Sequence, residues 1–380
     1  MSKKNTSKKI VVSVVNDLLS DNRVDKTCRT LQKAGYEVLL VGRQLKKSPP
    51  MNTRPYAYKR MQLVFERGLL FYAELNLRLF FFLMFHKETL LWANDLDTLL
   101  ANFMVSRIKR IPVIYDSHEH FTETPELNNR PFKKKIWKWL ERCMVPRLKY
   151  IFTVCRPIAD YFEKNYGVHA RIVRNIPPEN IENDPCLPNP PITFPHENIL
   201  LWQGGGGNID RGLEELIAAM PYIDAHLYII GGGDVFPTLQ KNAEALNLGK
   251  KVTFLQRMPF DQLMQYTRRA TLGICIDKPT NKNYLISLPN KLFDYIRAEL
   301  PMLVSPLPEI MKIVDKYQIG TYLVSYEPYQ LAQQINELLT RKDLLETYKQ
   351  NLKTASKELS WENEENEIFA CLSEIESQNS

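Results

Sequence analysis

The six cysteines, Cys28, Cys143, Cys155, Cys186, Cys275 and Cys371, form no CxxC pair and no Cys/His cluster at metal-ligand spacing. This argues against a zinc module or a dithiol redox centre, and the thiols read as reduced, as expected of a cytoplasmic protein. An uninterrupted apolar run of the roughly 20 residues needed to cross a bilayer is also missing. The most apolar stretch, GLLFYAELNLRLFFFLMF at 68–85, is broken by Glu74, Asn76 and Arg78 and reads as unable to span. The basic start, MSKKNTSKK, is followed by too short an apolar core for a signal peptide, so export is not expected. GxGxxG, Walker A and HExxH patterns are absent, as are short repeats.

What remains is the composition of an ordinary globular enzyme, 44% hydrophobic and 24% charged. A length of 380 residues exceeds the roughly 250 to 300 at which single cores stop growing, so two domains are expected. A net charge of +7 favours anionic partners without choosing among nucleotide, phospholipid and nucleic acid. Residues 130–149 are the densest basic cluster, eight Lys or Arg against Glu141 alone, interleaved with Phe132, Ile136, Trp137, Trp139 and Leu140. Such a segment suits an anionic membrane surface, with 71–85 as an accomplice; the alternative is a solvated helix whose tryptophans are core. No nucleic-acid partner is expected, since only this segment approaches a basic face with stacking aromatics.

Strand-like and helix-like runs alternate almost throughout, the pattern of parallel sheets covered on both faces. Strands are predicted at 10–15, 37–41, 89–93, 112–115, 150–154 and 171–174, and again at 199–203, 226–230, 252–255, 272–276, 302–304 and 321–324. Seven prolines in 177–195 cannot continue a helix or a central strand, which makes 181–195 a linker between domains at 1–180 and 196–360. Beyond it, 329–375 reads as successive amphipathic helices broken near Leu359, Ser360 and Trp361.

Four segments can carry chemistry. In WQGGGGNIDRGLEELIAAM a strand opens into Gly204, Gly205, Gly206 and Gly207 and then a helix near Arg211, where main-chain amides and a helix start favour phosphate; the plainer reading is a flexible turn. In SLPNKLFDYIRAELPMLVSP, Pro289 sits early in a helix whose Lys291 suits a phosphate and whose Asp294 suits a ribose diol, unless the two merely pair with each other. YDSHEHFTETPEL follows a strand and brings His118, Glu119, His120 and Glu123 to the end where ligand crevices open, or leaves them solvated. NDLLSDNRVDK places Asp17, Asp21 and Arg23 at the mouth of the first sheet, to grip an acceptor or to form a polar loop capped at Asp21 or Asn22.

Together with GGGDVFPTLQKNAEALNLGKKVTFLQRMPFDQLMQY, VRNIPP and the terminal SWENEENEIFACL, these segments resemble the retaining glycosyltransferases of family 4 over nearly the whole chain. The resemblance implies the α/β GT-B architecture, two Rossmann-like domains with parallel sheets facing across a cleft, with 361–380 as a last helix crossing back to the first domain. It implies Arg211 on the diphosphate of a nucleotide-sugar donor, Asp294 on its ribose in place of the usual glutamate, and His118, with His120 second, near the transferred sugar. Gly204 to Gly207, Ser287, Leu288 and Lys291 would complete the donor site. Asp17, Asp21, Arg23, His120 and Glu123 would lie on the acceptor side.

The family's other glutamate, eight residues before the ribose carboxylate, is Ile286 here, and the arginine usual after the first strand of the second domain is replaced within the glycine run. The implied function is transfer of a sugar to a glycan or lipid-linked hydroxyl acceptor, with retention, and with Arg211, Lys291 and the glycine amides stabilising the leaving diphosphate. Those groups make cofactor and metal unnecessary, and the one DxD pair, Asp95 and Asp97, falls in the acceptor half. The protein would then be cytoplasmic and peripheral on the inner membrane face. A catalytically weak sugar-nucleotide or glycan-binding partner protein is the alternative, and a nucleotide-sugar epimerase a third reading.

Overall fold

The computed structural model describes residues 8–124, 127, 130–180 and 196–378, apart from Ser20, Lys47, Pro49 and Asn52; the predicted linker at 181–195 lies outside the described residues. The chain forms two compact units, one of residues 1–174 with 364–380 and one of residues 175–363.

The first unit runs β1 (Lys9–Ser13), α1 (Asn22–Lys33), β2 (Glu37–Gln44), β3 (Ala57–Gln62), α2 (Gly68–Phe85), β4 (Leu90–Asn94), α3 (Asp95–Lys109) and β5 (Val113–Ser117). It continues with α4 (Pro131–Met144), β6 (Tyr150–Thr153), α5 (Arg156–Tyr166) and β7 (Arg171–Ile172). The strands pair in parallel in the order β3-β2-β1-β4-β5-β6-β7. The central strands are short and buried along their length, the mark of a sheet covered on both faces. Strand β3 was not legible: AYKRMQ is polar and mostly exposed at the sheet edge, so it carries no apolar run to signal it.

Helix α2 departs from expectation. Its three polar residues do not interrupt it. Asn76 is buried and donates to the carbonyls of Tyr72 (3.0 Å) and Asp97 (2.7 Å), Glu74 accepts the amides of Val64 and Phe65, and Arg78 pairs with Glu74 at 2.8 Å. The result is one continuous 18-residue helix of mean hydropathy 1.5, long and apolar enough by composition to cross a membrane, yet only 22% buried.

The second unit contains β8 (Ile199–Gly204), α6 (Leu213–Ala219), β9 (His226–Gly231), α7 (Phe236–Ala245), β10 (Val252–Gln256), α8 (Phe260–Arg269) and β11 (Leu272–Cys275). There follow α9 (Lys282–Ile286), α10 (Asn290–Arg297), β12 (Met302–Val304), α11 (Pro308–Tyr317), β13 (Gly320–Tyr322), α12 (Pro328–Thr340) and α13 (Lys342–Glu358). All six strands are parallel, in the order β10-β9-β8-β11-β12-β13. The period of two along β8 sorts the core: Leu200 and Trp202 enter one buried cluster, Ile199 and Leu201 the other, one on each side of the sheet.

Helix α14 (Trp361–Gln378) closes the chain. Within the first unit its Glu365 accepts from Thr30 (2.7 Å) and Lys33 (3.0 Å), Glu376 from Tyr36 (3.1 Å), and Glu374 from Arg171 (2.9 Å).

In both sheets the strand order reverses beside the first strand, between β1 and β4 and between β8 and β11. Ligands of open α/β sheets bind outside the carboxyl ends of strands at such a reversal. In the second unit that place is built from two interlocked glycine turns. Gly204 accepts the amide of Gly232 (3.3 Å), Gly207 donates to Gly232 (2.8 Å), and Gly231 lies at φ +142° with an added Cβ only 1.8 Å from Gly204 O. Gly231→Ala is therefore expected to lower the unfolding free energy in urea by more than about 2 kcal/mol. Gly206→Ala, whose methyl meets open space, is expected to stay within about 0.5 kcal/mol of the parent.

Candidate functional site

The loop after β8 presents Arg211 between two residues in the left-handed region, Asp210 at φ 67° and Gly212 at φ 76°. A side chain at 212 would place Cβ 2.4 Å from Ile276 O, and Lys278 donates its amide to Asp210 O at 2.8 Å. The loop is thereby docked on the segment that leaves β11. That segment carries Asp277, whose carboxylate is fully buried. Arg211 bonds one of its oxygens and Lys291, from the first turn of α10, bonds the other at 2.9 Å.

Burial alone would raise the Asp277 carboxyl, but Lys291 and then Arg211 outweigh it and hold it below its ordinary range. Each cation also lies over a ring, Arg211 at 4.0 Å from the centroid of Tyr284 and Lys291 at 4.7 Å from that of Trp202. Two cations on one anion leave a net positive charge at the end of the sheet, with Arg211 a fifth exposed (21%) and Lys291 almost covered (6%).

Asp294 does not pair with Lys291. It accepts from Gln203 Nε2 (2.9 Å), and Gln203 in turn accepts from Thr267 Oγ1 (2.7 Å), so the carboxylate is oriented by a strand residue at the reversal point. Pro289 stands at the N-cap of α10 rather than inside it. Ser287 caps the end of α9 through its hydroxyl to Tyr284 O (3.1 Å), and Leu288 packs on the core beside α10. In the glycine run, the Gly207 amide is turned inward to Gly232 and Gly206 faces open space.

Sequence reasoning missed two residues here. Arg257, just after β10, lies across Gly205, its guanidinium 2.8 Å from where a Cβ would stand. Asp277 was also missed; its signal was a lone acidic residue directly after an apolar strand.

In the first unit a row of charges crosses the ends of β4 and β5. Arg23 is buried and grips Asp116 with two nitrogens (2.6 and 3.3 Å) and Val173 O with a third (2.7 Å). His118 stands between Asp116 (3.4 Å) and Asp95 (3.2 Å), and its amide donates to Asp95 at 2.9 Å. Burial would raise the Asp116 carboxyl, yet Arg23 and His118 hold it far below the usual carboxylate range. Burial likewise disfavours a charged imidazole, but Asp95 and then Asp116 push His118 up to about 10 from 6.5. Asp97 is driven the other way, well above its ordinary value, by burial and by Asp95.

The remaining predicted residues have local partners. Asp21 caps α1 by accepting the Val24 amide at 3.0 Å, and Asp17 bonds Ser48 and Arg60. His120 packs against the Tyr161 ring at 4.2 Å. Glu123 takes Lys134 (2.6 Å) and Lys138 (2.8 Å), which hold its carboxyl down to about 2 against burial and tie the loop to α4. Among the described residues no group of three His, Cys, Asp or Glu is placed to hold a metal ion.

Each of the two units is thus a parallel, Rossmann-like sheet with charged groups at the reversal of strand order. Residues 194–355 match the model of glycosyl transferases group 1, and residues 21–178 match that of glycosyltransferase family 4; the chain belongs to these glycosyltransferases. Among curated proteins no sequence match is found.

Solved structures share the GT-B fold. Sucrose-phosphate synthase from Thermosynechococcus elongatus superposes with a TM-score of 0.76 at 15% identity, covering 98% of this chain and 100% of its own. HepE of Anabaena, crystallised with UDP and glucose, gives 0.71 at 14% identity, covering 97% and 100%. A protein of Listeria monocytogenes described as a putative UDP-N-acetylglucosamine 2-epimerase gives 0.63 at 12% identity, covering 98% and 97%.

Two outcomes are expected. Since the folded pKa of His118 is raised, the stability it contributes is complete below about 6.5 and lost as pH rises through about 10. Its ring resonances should therefore show no titration between pH 6 and 8 by NMR, and a midpoint near 7 would refute the charged-pair assignment. Asp277→Asn leaves the buried Lys291 without a full counter-charge, and should lower stability in urea by about 3 kcal/mol.

Proposed function

We propose that the protein transfers a glycosyl unit from a nucleoside diphosphate sugar to a hydroxyl acceptor, a glycan or a lipid-linked saccharide, with retention at the anomeric carbon. The observation that carries this reading is the convergence of Arg211 and Lys291 on the buried Asp277 at the strand-order reversal of the second sheet. That arrangement holds two cations in place and leaves them an unbalanced positive charge, which a diphosphate would neutralise. The presence of UDP and glucose in the HepE crystal supports a nucleotide-sugar donor.

In the proposed reaction the bond from the anomeric carbon to the β-phosphate oxygen breaks, and its electron pair leaves with the nucleoside diphosphate. The acceptor oxygen bonds the same carbon on the face from which the phosphate departs, and its proton passes to the departing phosphate oxygen. Negative charge grows on the departing phosphate, so cations already fixed there stabilise the transition state more than the ground state. Arg211 and Lys291 take this role, with Arg257 beside Gly205 as a third cation of the turn. Asp294, oriented by Gln203, accepts from the ribose diol. His118, as an imidazolium, is assigned to the sugar's polar groups rather than to proton abstraction. With protein cations supplying the charge, metal is not required.

A second reading, binding of the sugar nucleotide without turnover, is favoured by one observation: Ile286, at the end of α9, occupies the place of the carboxylate usual in the family.

Calorimetry in EDTA should show Arg211→Ala and Lys291→Ala weakening the cognate nucleoside diphosphate, identified from UDP, GDP and ADP, by roughly 10- to 100-fold. The bare nucleoside should be affected much less, and Asp294→Ala should weaken both. Release of nucleotide from the matching sugar donor in EDTA separates the two readings, since a binding protein takes up the donor and releases none.

A further inference from the structure

We propose that the outer face of the α2, α3 and α4 helix layer is a docking surface for an anionic lipid bilayer, on which the first unit lies without crossing it. The crossovers β3 to β4, β4 to β5 and β5 to β6 run the same way across the sheet, and right-handed crossovers in one direction place their helices on one face. Helix α2 packs along α3, α3 against α4, and Tyr72 of α2 meets Trp137 of α4 edge-on at 5.0 Å.

The inward side of α2 is spaced by four: Phe71, Leu75, Leu79 and Leu83 are all buried. The opposite side should be polar in a helix facing water. Instead it carries Leu70 (60% exposed), Leu77 (59%), Phe81 (52%) and Phe85 (84%), on one stripe at i, i+7, i+11 and i+15. Glu74 on this stripe is occupied by the amides of Val64 and Phe65, which adds two exposed apolar side chains to its upper end. Met104 and Ile108 of α3 are exposed as well. Exposed apolar surface of this extent marks an interaction site.

The charges select the occupant. On α4 the outward line is Phe132, Lys135, Trp139 and Arg142, aromatic and cation in alternation, all exposed. Two of the cluster's lysines, Lys134 and Lys138, are engaged by Glu123, and Trp137 is core, so this line carries the basic character outward. Arg67 and Lys87 stand exposed at the two ends of α2, and Lys59 lies over Phe82 at 4.2 Å. An apolar stripe bordered by cations and amphipathic aromatics matches the boundary of acyl chains and anionic headgroups. A second copy of the chain would bring the same cations against each other, which disfavours self-association. Spanning is excluded by packing, since crossing the bilayer would strip Phe71, Leu75, Leu79 and Leu83 from the sheet layer.

The test uses the full chain with vesicles of phosphatidylcholine alone and of phosphatidylcholine with about one-third phosphatidylglycerol. Sedimentation should recover the protein with the anionic vesicles and little with the neutral ones, and salt should weaken the binding. Phe81→Glu with Phe85→Glu, and separately Lys135→Glu with Arg142→Glu, should each lower the partition coefficient by about 10- to 100-fold. All four residues are exposed, so circular dichroism and nucleotide affinity should match the parent, which keeps this result independent of whether sugar transfer is shown. Equal recovery with both vesicle types, or undiminished binding by both double variants, overturns the proposal. So does a dimer in analytical ultracentrifugation that the Phe81→Glu, Phe85→Glu pair disperses.

Discussion

The second unit is organised around a carboxylate that has no access to water. Burying a charge alone costs several kcal/mol or more, and the cost falls only when partners supply close, well-directed hydrogen bonds. Asp277 meets that condition with a cation from each side, Arg211 from the loop after β8 and Lys291 from the start of α10. The consequence runs outward from the pair of bonds. Two long, rotamer-rich side chains are held in fixed places before any ligand arrives, so binding an anion costs them little further ordering. The loop in turn depends on left-handed Asp210 and Gly212, and the helix start on the short turn of α9 that precedes it.

The first unit solves a related problem with a different sum. Arg23, Asp116, His118 and Asp95 alternate in sign and cancel, with Asp97 pushed toward its neutral form nearby. A balanced row offers dipoles and hydrogen bonds but no net field for an anion, whereas the Asp277 cluster has one cation in excess. The same balance explains why Arg23 takes a supporting place: its three hydrogen bonds leave it holding Asp116, which in turn holds His118.

Much of this was legible in the sequence. The alternation of apolar strands with amphipathic helices fixes two parallel sheets, because a strand buried on both faces must be apolar at consecutive positions, as in LLWAN and ILLWQ. Lys291 and Asp294 were marked by their place at a helix start, and Arg211 by its place after a glycine turn. What could not be read was pairing between distant residues. Nothing local says that Lys291 turns to Asp277, fourteen residues back, or that Glu123 ties down two lysines of the basic cluster. Helix α2 misled for a related reason: Glu74, Asn76 and Arg78 look like interruptions in a one-dimensional run, but in three dimensions Glu74 and Asn76 find partners beside the helix and Arg78 pairs with Glu74 one turn away. The edge strand β3 escaped because edges tolerate polar residues on both faces.

The crossing of the two glycine turns has a consequence for how this unit can change. Gly231 and Gly233 each lie where a side chain would strike the backbone of the opposite turn, at Gly204 O and Gly207 O. Neither turn can lengthen, shift or take on a side chain at these points while the other stays where it is. The first and second turns of the sheet therefore behave as one mechanical part, like two links of a chain. New donor preferences would have to arise around that link, from the residues facing it, and not within it.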